Sequence, residues 1–453
     1  MARVDAEPNL RPGLAVVRLS KPQRIPSYKP IEGAKYRSPI REILEVAGKP
    51  GIDSVAGGLP LNATLSNIAP KLGRRVAFHM EADHAAENNY GGAAGDPDAR
   101  KAGAGILKMS GIDVDWKRVY VSPAATPAIT ALAEATLPYD KGIAIVDGPT
   151  YPGGIGGLWK RRPEFKQIRM DTHGPLPEDL EAALMDAVEN PEKPNVVWYT
   201  TLTGNTVGVT ASAERRQTYA DIIQRFAAPD MLGRRLVVIE DDPYPDINMS
   251  GKPVLRPLTS LLLERGLDEQ AAYIRTLSKS VTPASRTGFV MPPPHVADDY
   301  LTAAENLFLF ANRPFSLAVA DVYNDGTYAE HVASLGDAYQ PNSDVMDAAL
   351  TKHAQEAQWT WDKPSYGFFY GVHVLPEEGK RPPDMDALFS EILANKQAAY
   401  VPLKRLYVAE DPDGTQAAGM RMALSYPPDQ IERAVAQTAH GIAEARENAR
   451  RGN

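Results

Sequence analysis

The stretch Tyr273-Ile-Arg-Thr-Leu-Ser-Lys279-Ser-Val-Thr-Pro283-Ala-Ser-Arg286-Thr-Gly-Phe289 opens as a short buried strand and then breaks into small and polar residues. The same pattern, an apolar β-branched run with reactive residues behind it, recurs upstream. It is seen at Arg118-Val-Tyr-Val121, Gly142-Ile-Ala-Ile-Val146, Asn195-Val-Val-Trp-Tyr199 and Arg235-Leu-Val-Val-Ile239. Between these runs lie helical patterns such as residues 212–226, where Tyr219, Ile222, Ile223 and Phe226 recur at helical spacing. Strand, helix, strand repetition predicts an α/β domain with a mostly parallel central sheet flanked by helices. In such sheets ligands sit beyond the carboxyl ends of the strands.

The 453 residues leave room for two or three domains. A content of 43% hydrophobic and 23% charged residues is that of a soluble globular chain. No apolar run reaches the length of a membrane span, and the first 13 residues alternate charge with proline, unlike a signal peptide. There is no cysteine, which excludes disulfides, thiolate metal sites and a cysteine nucleophile and leaves the cytoplasm as the default compartment. The net charge of −8 argues against a nucleic-acid partner, and no membrane partner is expected. The eight histidines include no His-x-x-x-His pair, so no metal is expected.

Three regions are expected. Residues 1–50 form an arm with a short helix, begun by Ser38-Pro-Ile-Arg41, that packs with the small domain. Residues 51–310 form the large domain. Residues 311–453 form a smaller α+β domain, in which 366–374 alternates like an antiparallel strand. A long helix through 299–310 is expected to join the two. Ala56-Gly-Gly-Leu-Pro60 reads as a tight turn.

The residues behind the strands suggest one site. A lysine at a strand mouth, here Lys279, forms an imine with an aldehyde if its surroundings keep part of it unprotonated. Arg286, seven residues on, suits a bidentate grip on phosphate. Aldehyde and phosphate on one cofactor point to pyridoxal phosphate. Asp241 in Glu240-Asp-Asp-Pro-Tyr244 suits a protonated pyridine nitrogen, and Tyr244 the ring's 3-oxygen. Asn205 offers an amide donor to the same oxygen, and Tyr151 a ring to stack. Ala125 and Thr126, opening an apolar helix behind Val121, make a phosphate nest of backbone N–H groups. Duller readings exist for each: turn or capping residues, a solvated loop, a surface aromatic. Their joint order, each behind a strand, favours the single site.

On Ser-Pro-Ile-Arg41, Gly-Gly-Leu-Pro60, Glu-Asp-Asp-Pro-Tyr244, Ser-Lys279 with Arg286, and Arg421, the chain resembles the fold type I pyridoxal-phosphate enzymes of the class I/II aminotransferase family. The likeness covers roughly residues 36 to 440 and is nearest the branch of 2-aminoadipate and kynurenine aminotransferases and MocR regulators. It implies a large domain with a central sheet and a smaller α+β domain. It implies Lys279, Asp241 and Tyr151 as catalytic residues, with Thr276 and Ser278 joining Arg286 and Thr126 on the phosphate. Tyr90 matches a tyrosine that reaches the neighbouring subunit's phosphate, so a homodimer is implied. Arg421 matches the arginine that grips the substrate α-carboxylate, and Gly58, Asn205 and Arg41 fall on the substrate side.

The sequence departs from that pattern at Asn205-Thr-Val-Gly208, at Ala124 and Thr126, and at Val401-Pro-Leu-Lys-Arg-Leu-Tyr407. The resemblance implies a substrate amine that displaces Lys279 and a carbanion delocalised as a quinonoid, most simply in transamination between an amino acid and a 2-oxo acid. The alternative is β- or γ-elimination, replacement or carbon–carbon bond formation, since Pro149-Thr-Tyr-Pro-Gly153 is also similar to a segment of synthases acting on S-adenosylmethionine. A MocR-like sensing module is a third reading, but too few residues precede Ser38 for a winged-helix domain. Lys404 and Arg405 are either a grip for a distal substrate anion or solvated loop charges.

Overall fold

The computed structural model describes residues 25–381, 383–409 and 418–451. The first 24 residues of the expected arm lie outside them. The runs read as strands form a nine-stranded sheet. Five neighbours, Glu164–Asp171, Gly142–Gly148, Asn195–Thr200, Leu236–Asp241 and Ala271–Thr276, pair in parallel in that spatial order. Gly288–Met291 follows antiparallel to Ala271–Thr276, and Tyr120–Ser122 lies antiparallel to it in turn. Tyr120–Ser122 therefore runs in the same direction as the central five, and its carboxyl end falls at the same edge.

Both faces of this sheet are covered, so its strands read as continuous apolar runs. Ile143, Ile145, Val196, Trp198, Val238 and Tyr273 point to one face, packed with residues of helices Pro97–Met109, Pro177–Val188, Ala213–Phe226 and Arg313–Asn324. Ala144, Val146, Val197, Tyr199, Ile239 and Ile274 point to the other, against Ala125–Thr136, Pro152–Trp159 and Ala297–Phe308. Ser212 caps the helix expected at 212–226, its hydroxyl accepting from Arg215 N at 3.2 Å.

A second core surrounds a four-stranded antiparallel sheet of Trp359–Trp361, Phe369–Val374, Gly419–Ala423 and Val401–Pro402. Ile40, Ile43 and Ala47 of the short helix Pro39–Ala47 belong to this core. The passage between the cores differs from the expected one. The helix at Ala297–Phe308 stops where Leu309 turns to φ 63°, and packs on Ala125–Thr136 instead of leaving the large sheet. The connecting element is Thr327–Lys352, 26 residues long, with Tyr328 in the first core and Leu335, Tyr339 and Met346 in the second. No described helix is long and apolar enough to cross a membrane.

Candidate active site

Asp241 ends the strand Leu236–Asp241 and is buried. Its Oδ2 accepts from the Tyr199 hydroxyl at 2.8 Å, while Oδ1 is buried without a partner among the described residues. Burial pushes this carboxyl up to about 7, with the Tyr199 hydrogen bond opposing the rise. Lys279 stands in the loop after Ala271–Thr276, donating from Nζ to Gly58 O at 2.7 Å and lying 5.9 Å from the Phe368 ring centre. Burial first, and the charge of Arg421 second, bring its amine down to about 8, against the pull of Asp241. At neutral pH roughly a tenth of such an amine is unprotonated.

Groups suited to an anion gather at the same edge. Helix Ala125–Thr136 begins at Ala124 with no side-chain cap, so its leading N–H groups are open to a ligand. The Thr126 hydroxyl lies 3.4 Å from that of Tyr151, and Thr276 Oγ1 donates to Ser278 Oγ at 3.0 Å. Arg286 is exposed, with a left-handed backbone, and its guanidinium has no hydrogen-bond or ion-pair partner among the described residues. Tyr151 is 41% exposed, and its phenol is raised by partial burial against the Thr126 hydrogen bond and the charge of Arg286.

Facing Lys279 from the second sheet is Arg421, buried on strand Gly419–Ala423. Its Nη2 donates to Ala56 O at 2.9 Å, its guanidinium carbon stands 4.2 Å from the Phe369 ring centre, and Nε has no partner. It has no carboxylate partner among the described residues, and burial lowers it to about 10 although Tyr244, Tyr426 and Tyr151 pull it up. Gly58 lies between the two cations, where a Cβ would come within 3.0 Å of Phe369. Tyr244 is buried edge-on to Phe368 and Phe369, its phenol raised by burial and within electrostatic reach of Arg421, Tyr151 and Asp241. Asn205 is buried, and its Oδ1 closes a turn by accepting from Val207 N and Val209 N, both at 3.0 Å. Its amide donor meets only Met170 Sδ at 3.2 Å, a weak acceptor.

Other expected residues are not brought to this site. Tyr90 is 78% exposed and touches Phe310 edge-on at 5.8 Å. Its segment is pinned by Arg313, unforeseen in the sequence, which grips Asp96 at 2.8 and 2.9 Å and donates to Ala86 O and Asn89 O. Arg41 is exposed, with no side-chain partner among the described residues. Lys404 pairs with Asp384 at 3.0 Å and Arg405 with Asp386, so each carries a carboxylate partner. Although no His-x-x-x-His pair exists, His79, His84 and Glu87 come together; Glu87 hydrogen-bonds both rings, and Asp321 takes the other nitrogen of His79.

Tyr199 was unforeseen as well. The available signal was a hydroxyl inside an otherwise apolar strand, because a buried phenol seeks a partner. Asp147 is also unforeseen, buried and accepting from Trp198 Nε1 at 3.1 Å and Thr200 Oγ1 at 2.7 Å.

No family model matches the chain. It is 27% identical over 415 residues to aromatic-amino-acid aminotransferase 1 of Thermococcus litoralis, across 90% of this chain and 92% of that protein. It is 25% identical to the 2-aminoadipate transaminase of Thermus thermophilus, across 76% and 80%. Among solved structures it is similar to the kynurenine aminotransferase of Pyrococcus horikoshii, solved with PMP, at a TM-score of 0.78 and 26% identity over 90% of this chain and 95% of that one. The open oxygen of Asp241, the uncapped helix start beside the unpaired Arg286, and the tuned amine of Lys279 suit pyridoxal phosphate's ring nitrogen, phosphate and aldehyde in turn. With those relatives, they support a pyridoxal-phosphate-dependent aminotransferase with the fold of the type I enzymes, similar to members of the class I/II aminotransferase family.

Proposed function

We propose that this aminotransferase moves the amino group of an α-amino acid with an uncharged side chain to a 2-oxo acid, in a homodimer. The observation that carries this reading is the buried, carboxylate-free Arg421 facing the amine of Lys279. The bound cofactor supplies an aldehyde that takes up the amine and a ring that withdraws electrons from Cα.

Each role then falls to a named side chain. Asp241, with Oδ1 left open, would hold a proton on the ring nitrogen. Arg286, Thr276, Ser278 and the N–H groups at Ala125 and Thr126 would hold the phosphate, with Tyr151, Tyr244 and Asn205 as the residues that would meet the ring. Arg421 binds the substrate α-carboxylate, which places the Cα hydrogen toward Lys279. The Lys279 amine, lowered to about 8 and aimed by its hydrogen bond to Gly58 O, would accept that proton and give it back.

The uncharged side chain follows from the cations. Arg421 and Arg286 are assigned to other anions, and Lys404 and Arg405 are paired with Asp384 and Asp386, which supports an uncharged side chain. Support for the homodimer is the exposed Tyr90, held out by the Arg313 brace, ready to reach the phosphate of a second copy.

The test is a panel of amino acids with several 2-oxo acids, read by mass spectrometry of the products. Leucine-like and phenylalanine-like donors should give their 2-oxo acids faster than aspartate or glutamate. Release of a side-chain fragment without amino transfer would instead favour elimination.

A further inference from the structure

Tyr199 and Asp241 sit on neighbouring parallel strands, Tyr199 paired with Ile239, and both are buried. The Tyr199 hydroxyl donates to one carboxylate oxygen at 2.8 Å and leaves the other without a partner. The phenol reaches this position through space left by Gly154, where a Cβ would collide with its ring. Of the other charged groups facing Asp241, Asp242 repels its charge and Lys279 favours it. Asp242 is turned to Tyr273 at 2.7 Å, and Lys279 to Gly58 O. The Tyr199 hydroxyl is thus the one side-chain donor on Asp241 among the described residues.

A carboxylate tied at one oxygen keeps the other in one direction, and a charge-assisted hydrogen bond favours the anion against burial. We propose that Tyr199 is a positioning residue for the cofactor: through Oδ2 it keeps Asp241 ionised and turns Oδ1 toward the protonated ring nitrogen. This rests on the pyridoxal phosphate assignment above. It gives the phenol a function at the ring-nitrogen end of the site.

The test measures binding to apoenzyme. Tyr199→Phe and the parent are titrated with pyridoxal phosphate and with an analogue whose ring nitrogen is replaced by carbon. The variant should bind pyridoxal phosphate about 10–100-fold more weakly, the range expected for a hydrogen bond to a charged group, and the analogue as well as the parent does or better. Equal weakening of both compounds would mean a packing role and overturn the proposal, as would no weakening of either.

Should Tyr199→Phe not accumulate in folded form, Asp241→Asn is compared with Asp241→Asn plus Tyr199→Phe. Near-equal affinities for pyridoxal phosphate are expected there, since the tyrosine acts through the carboxylate. A further tenfold loss in the double variant would overturn the role. A parent apoenzyme that binds neither compound would remove the cofactor assignment along with it, an outcome distinct from all the others.

Discussion

The carboxyl edge of the large sheet and the 401–407 segment of the small domain both carry conspicuous charges, and they treat them oppositely. At the sheet edge Asp241 keeps a buried oxygen open and Arg286 is unpaired, while Arg421, facing that edge from the second sheet, keeps Nε open and has no carboxylate partner, all among the described residues. On the segment, Lys404 is paired with Asp384, and Arg405 with Asp386 and, more distantly, Glu42. Leaving a buried charge uncompensated costs several kcal/mol, whereas a partly exposed ion pair costs little and contributes little. The first arrangement persists when a ligand completes it, and the second is complete already. Unsatisfied burial, more than the number of charges, marks the working region.

Four experiments would break or sharpen that contrast. The largest effect is expected for Lys279→Ala, which removes the proposed proton carrier and should lower turnover by at least about a thousandfold. Borohydride reduction of the parent should leave the phosphopyridoxyl group on Lys279 in peptide maps, and label on another lysine would end the assignment.

Next is Arg421→Leu. Loss of a buried charge partner for the substrate carboxylate should cost about 3–5 kcal/mol in kcat/KM. Because every α-amino acid carries that carboxylate, the loss should be uniform across a substrate panel. A loss confined to some side chains would place Arg421 elsewhere in recognition.

The third effect is a shift in pH. Capture of pyridoxal phosphate by apoenzyme needs the neutral amine of Lys279, so its rate should rise with pH through a midpoint near 8, below the ordinary 10.5 of lysine. Arg421→Leu removes one of the two depressing influences, so the midpoint should move upward in that variant. A midpoint near 10 in the parent, followed by absorbance, would contradict the tuning of the amine.

Smallest is Arg405→Ala, for which kcat/KM should stay within about twofold on neutral and dicarboxylic donors alike, with stability changed by about 1 kcal/mol or less. A fall limited to donors with a distal anion would return this segment to the substrate site.

The Tyr273–Phe289 stretch and its four upstream counterparts were legible because a strand covered on both faces must be apolar and chemistry must collect where it ends. The candidate residues Asp241, Tyr151, Thr126 and Lys279 were legible for the same reason: the chain order places each just behind a strand. The link between the two cores was not. Residues 299–310 and 327–352 both read as helices, and only packing shows that the first lies on Ala125–Thr136 while the second passes from core to core.

The sequence by itself therefore determined the α/β class, the edge at which chemistry gathers, and the residue types found there, because periodicity and strand-end position are local properties of the chain. Tertiary structure alone decided which charges are satisfied. Lys404 and Arg405 look as available in sequence as Arg286, yet Asp384 and Asp386, some twenty positions away, neutralise them. Tyr199 looks like one more core residue until the neighbouring strand brings Asp241 to its hydroxyl. Whether a charge has a partner depends on contacts between distant segments, and only the folded chain makes those contacts.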